Sequence, residues 1–114
     1  MMYDVMIKRG DTRTAIKANL KNAMGDPVDL TNCSVYFHMA LLGRSVAELV
    51  VSRRAHIQDV LTGEVWVVWA PGETDIAGIY RAEFEVIYQD GKRETFPNNG
   101  YIGVQIINDL GQGE

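Results

Sequence analysis

An all-β sandwich of about seven to nine antiparallel strands is the fold this sequence predicts, on three observations. The first is residues 78–88, where Tyr80, Ala82, Phe84, Val86 and Tyr88 share one side and Arg81, Glu83 and Glu85 the other. Strict alternation is the period of a strand with one dry and one wet face. That pattern belongs to an antiparallel sheet covered on one side, not to a parallel sheet buried on both. The second is that similar short segments recur along the chain, with turn residues spaced roughly 8–12 residues apart. The third is that no segment of helix length carries a period of roughly 3.6 residues. The best helical candidate, residues 72–77, makes one turn at most.

The elements follow in order. Val5 and Ile7 mark a first strand, ended by Gly10-Asp11. Ile16, Ala18 and Leu20 alternate with Lys17, Asn19 and Lys21 in a second, and Gly25-Asp26-Pro27 makes a turn. Val35, Phe37, Met39 and Leu41 place their side chains inward along a third strand, closed by Gly43. Leu49 and Val51 start a fourth, which Ala55 and Ile57 either extend or follow as a fifth. Thr62-Gly63 turns the chain into Val65, Val67 and Trp69, and Pro71-Gly72 ends that strand, since proline cannot donate to a ladder. After the strand at 78–88, Asp90-Gly91 reads as a two-residue hairpin turn whose return arm is 92–96. Pro97-Asn98-Asn99-Gly100 interrupts it, and Ile102, Val104 and Ile106 alternate in the last strand.

One local pattern refines the fold class. Tyr80 stands near the start of the penultimate long strand, two residues before Ala82. A tyrosine so placed, bonding backwards to the preceding corner, is a hallmark of the immunoglobulin-like sandwich, with Ala82 at the position that holds cysteine in antibody domains. The expectation is therefore a single immunoglobulin-like domain over residues 1–108, with residues 109–114 a polar, frayed tail.

Composition removes several function classes. The chain has 114 residues and a formal net charge of −4, without a long run of either sign, so no nucleic-acid or anionic-membrane partner is expected. Its apolar runs fall far short of the about 20 residues a membrane-spanning helix needs. Met1-Met2-Tyr3-Asp4 lacks the basic-then-apolar pattern of a signal peptide. Cys33 is the single cysteine, which fits a reducing site of synthesis.

Chemistry-bearing residues are sparse. Cys33 with His38 or His56 as base would need both side chains within hydrogen-bond reach and a third group to orient the base. The strand context favours a small buried thiol instead. Two histidines and a cysteine scattered in sequence do not supply the four closely paired ligands of a zinc site. Asp26, Asp29, Glu73 and Asp75 lie in turns and fall short of the six to eight oxygens calcium takes. Neither a phosphate-binding glycine loop nor a nucleophile elbow is present. No enzyme activity, cofactor or metal is expected. Arg9-Gly10-Asp11 matches an adhesion tripeptide and more simply closes a strand, and Asn32-Cys33-Ser34 matches a glycosylation pattern.

Outward apolar side chains are more suggestive. If Val65, Val67 and Trp69 face the core, Trp66 and Val68 face out. If Phe37 and Met39 face in, Tyr36 and His38 face out. Aromatic residues displayed on a sheet are enriched at protein contacts, so Trp66, Val68, Tyr36 and His38 are the candidate contact residues.

Taken in order, Arg9 to Thr12, residues 27–31 (Pro-Val-Asp-Leu-Thr), Val35-x-Phe37-x-Met39, Thr62 to Val65, Trp69 and Gly72 to Asp75 form one series. It continues through Gly78-x-Tyr80-x-Ala82-Glu83-Phe84, Asp90-Gly91, Glu94 to Pro97 and Gly100-Tyr101-Ile102. The series resembles the N-terminal domain family of phage baseplate upper proteins. The resemblance implies an immunoglobulin-like structural component of a tailed-phage or prophage virion, a tail, baseplate or fibre-linking part made in the bacterial cytoplasm. It would act by contacts with other tail or baseplate proteins and by self-association. Members often continue into long C-terminal regions, whereas this chain stops near Asp109, so direct receptor attachment is not expected. The alternative is a carbohydrate-binding or adhesive module that displays aromatics for sugar stacking.

Overall fold

Residues 4–42, 49–108 and 110 are described by a computed structural model. Among them nine strands are formed: β1 (Val5–Lys8), β2 (Ala15–Asn19), β3 (Ser34–Leu41), β4 (Leu49–Arg54), β5 (His56–Asp59), β6 (Glu64–Val68), β7 (Gly78–Ile87), β8 (Arg93–Phe96) and β9 (Ile102–Ile107). They make two sheets. The larger runs β1-β9-β7-β3-β4, with β8 also paired to β7, and the smaller runs β2-β6-β5. The fold is the immunoglobulin-like β-sandwich expected.

The core lies between the sheets. Val35, Phe37, Met39, Phe84, Val86 and Val104 on one side and Val65 and Val67 on the other have essentially no exposure. Alternation accounts for it: the burial of β7 runs strictly in step with its apolar residues from Tyr80 to Val86. The intervening Arg81, Glu83 and Glu85 are only partly exposed rather than fully solvated. Phe37 packs its ring against Phe84 at 5.2 Å and edge-on to Trp69 at 6.2 Å, so one side chain bridges the two layers.

The tyrosine corner is present. The Tyr80 hydroxyl donates to the Ile76 carbonyl at 2.6 Å, and burial raises the tyrosine's pKa. Turn residues act as their chemistry requires: Asn22 closes residues 22–27 by accepting amides of Met24 and Asp26 on its side-chain oxygen.

Expectations at one strand end and two turns are corrected. Leu41 is half-buried and packs against the core as its alternation with Met39 expects, opposite Tyr80 in an unbroken β3–β7 register. The β3–β4 register shift falls on β4: Met39 pairs with Val51 and Ala40 with Leu49, so Val50 is extra and Leu49 changes face. Leu49 is 43% exposed and leaves Val51 as the inward residue of β4. The β7–β8 hairpin has a three-residue loop, since Tyr88 bonds Lys92 and Gly91 bonds back to Tyr88. Only Gly91 takes positive φ there, at 86°, so the paired positive φ values of a two-residue type I′ turn are absent. Residues 71–74 form successive turns rather than a helical turn. Gly43 and most of the 109–114 tail lie outside the described residues. The question of a fourth strand extended or followed by a fifth resolves as two strands: Ala55 is the buried crossing point, its amide bonded to the Val35 carbonyl, between β4 in one sheet and β5 in the other.

An ion pair straps the layers at one edge. Arg53 of β4 forms two hydrogen bonds with Glu73, at 2.8 and 2.9 Å, and also donates to the Val68 carbonyl. Glu73 accepts the Ala70 amide at 2.7 Å as well. The Arg53 guanidinium, with that amide, holds the Glu73 carboxyl below its usual range. A depressed carboxyl contributes stability above its unfolded pKa that is lost as pH falls through its folded pKa. Glu73→Gln should therefore cost about 1–2 kcal/mol at neutral pH, Arg53's partial exposure lowering the figure. Urea melts should show the gap between variant and parent closing as the pH is taken well below about 4.5. An equal gap at both pH values would show that the strap is not ionic.

Candidate functional site

The four sequence-derived contact residues do not form one site. Trp66 and Val68 leave the outer face of the small sheet, Tyr36 and His38 that of the large sheet, so the core separates the pairs. Val68 is 55% exposed. Trp66 is half-buried on its own surface: it stands between Lys17 of β2 and His56 of β5, its register partners. The Lys17 ammonium sits 4.3 Å from the centre of the indole, the His56 ring 6.2 Å away, and the indole N–H donates to Glu64 at 2.6 Å. One face of the ring is thus taken by a cation, which leaves a poor platform for sugar stacking.

On the opposite face, His38 joins a polar chain across four strands, β4, β3, β7 and β8. Its Nδ1 is 2.9 Å from the Ser52 hydroxyl and its Nε2 is 3.2 Å from Glu85, which also accepts from Arg93 at 3.1 Å. His38, first, and Arg93 hold the Glu85 carboxyl below its usual range. Hydroxyl, imidazole and carboxylate in this order serve nucleophilic catalysis where an enclosed site adds oxyanion donors. Here Ser52 is exposed on an open sheet surface, and the neighbouring hollow, near His38, Arg81 and Tyr101, is a shallow one of about 210 Å³. Cys33 is half-buried with its Sγ turned to the Thr31 carbonyl, and burial pushes its pKa up, the reverse of nucleophile activation. Among the described residues, no group of three or more His, Cys, Asp or Glu is placed to hold a metal ion.

One concavity went unseen in the sequence. A groove of about 490 Å³ opens where the two sheets part, with β2 along one wall and the ends of β8 and β9 along the other. The buried rings of Phe84 and Phe96 lie at its base, and Pro97, Tyr101 and Ile102 line its far side. Six consecutive residues of the β2 region, 16–21, line the near wall, so that wall is backbone rather than one face of side chains. β2 pairs with β6 alone among the described strands. Leu20 sends its amide to the Gly63 carbonyl at 2.9 Å, which makes Leu20 a hydrogen-bonded position of that ladder. Alternation then turns the backbone of Ile16, Ala18 and Leu20 toward β6 and that of Lys17 and Asn19 toward the groove.

No family model and no curated protein matches this chain. Among solved structures it is similar to CopC from Methylosinus trichosporium OB3b, with a TM-score of 0.51 and 18% identity over 94% of this chain and 86% of that one. The likeness is one of fold. It also corrects the functional expectation: a likeness to CopC points away from a tail or baseplate structural role.

Proposed function

We propose that the domain is a non-enzymatic binding module that takes an extended polypeptide strand of a partner protein into the groove beside β2. The observation that carries this reading is the β2 edge, whose Lys17 and Asn19 backbone groups face an apolar-based slot instead of a neighbouring strand. Sheet edges left open are templates for another chain, and proteins use them for recognition by strand addition. Main-chain hydrogen bonds supply affinity in that mode, and pockets for alternate side chains supply selectivity.

The test uses synthetic peptides of about six residues, the length of an ordinary strand, alternating valine with serine. Binding should slow hydrogen exchange at the Lys17 and Asn19 amides. Asn19→Pro removes an outward N–H, leaves the β6 backbone ladder intact and gives up only a long side-chain bond to the Thr62 carbonyl, 3.4 Å, so it should abolish binding with little change in the thermal melt. Absence of binding at concentrations on the order of 1 mM, the weak end of specific affinities, would overturn the reading.

A further inference from the structure

We infer, resting on that reading, that the strand received alternates apolar and acidic residues and joins β2 rather than β8. Both strands border the groove, but their edges differ. Tyr88 and Lys92 are a bonded pair of the β7–β8 hairpin, so alternation turns the Thr95 backbone outward. The Asn98 side-chain amide already donates to the Thr95 carbonyl at 3.0 Å, and to Glu94 at 3.2 Å. Pro97 follows, and proline has no N–H to offer. The β8 edge is therefore closed by its own loop, and β2 is the edge left to accept a strand.

Side-chain chemistry along β2 then sets the guest's pattern. Ile16 and Leu20 are buried toward the core side, next to Phe84 and Phe96, so guest residues on that side are apolar. Lys17 and Lys21 are exposed on the other side. Residues directly opposite on neighbouring strands interact, favourably when their charges are opposite. Acidic residues at alternate guest positions would stand beside the two ammonium groups. Two carboxylates near this lip are engaged: Asp4 accepts the Gly103 amide at 2.7 Å on the far wall, and Glu64 holds the Trp66 indole. Lys17 is itself shared with the Trp66 ring, so Lys21 is the freer cation.

Three labelled peptides of equal length decide the matter, alternating valine with glutamate, serine or lysine. The glutamate peptide should bind tighter than the serine peptide by about twofold to fivefold per lysine, and the lysine peptide weakest. The spread should shrink as salt rises toward 1 M. Lys21→Glu should invert the order of the charged peptides. Exchange protection should fall on Lys17 and Asn19 and spare Thr95. Equal affinities or a preference for lysine would overturn the inference while the binding-module reading stood, and protection at Thr95 in place of Lys17 and Asn19 would overturn both. Failure of all three peptides would instead remove the reading beneath it.

Discussion

Phe37→Ala should destabilise the domain by about 3–5 kcal/mol, a large share of the about 5–15 kcal/mol typical of a whole domain. Phe37 has no solvent exposure and meets Phe84 of its own sheet and Trp69, just past the end of β6 in the other. Truncation removes the transfer energy of the ring and leaves a cavity between rigid sheets, which relax only in part. The aromatic pairings are lost as well. Urea melts should show the midpoint falling with the slope retained, the mark of lost stability without a changed unfolded state. Phe37→Leu, which refills most of the volume, should cost much less. A loss below about 1 kcal/mol for the alanine variant would mean that the sheets close over the gap, and that this ring is not the bridge between layers.

The same ring explains why the fold was readable and the site was not. Phe37 and Phe84 sit in long runs where apolar residues recur at every second position, and this pattern survives any arrangement of strands. It fails only where the backbone departs from regular pairing. At the β3–β4 register shift β4 carries an extra residue, Val50, and Leu49 at its start came out exposed. The Asp90-Gly91 turn was visible as a turn, but its loop length depends on which residues accept positive φ, and here glycine alone does. The groove depends on topology. Lys17 and Phe96 lie far apart in the chain and meet only because β2 and β8 are edge strands of different sheets. No local pattern in 15–21 announces that the backbone beside it is open. The outward aromatics were placed correctly by alternation, but alternation says nothing of Lys17 and His56 flanking Trp66 across strands, nor of Tyr36 and Trp66 lying on opposite outer faces. The polar chain through Ser52, His38 and Glu85 was missed for the same reason: register, not spacing, brings it together.

Gly63→Ala should be the most damaging single-methyl change, at about 3 kcal/mol. Gly63 leads into β6 with φ 70°, a backbone region that alanine enters only with strain. A Cβ there would lie 2.6 Å from the Leu20 carbonyl oxygen and 3.0 Å from that of Val28. Both obstacles are backbone, and both belong to a tight knot of bonds: Leu20 N–H to Gly63 at 2.9 Å and Val28 N–H to Leu20 at 3.0 Å. The methyl group must push the end of β2 away and break them. Gly91 is the control, since its φ is 86° but a Cβ would meet nothing within 4 Å. Gly91→Ala therefore carries the dihedral strain alone, about 1 kcal/mol. The difference between the two variants in urea isolates the steric conflict at β2, and equal losses would refute it. The consequence reaches the groove. Displacing Leu20 moves the edge that presents the Lys17 and Asn19 backbone, so the folded fraction of Gly63→Ala should bind the valine–glutamate peptide more weakly. Gly91→Ala, remote from that edge, should bind it with unchanged affinity.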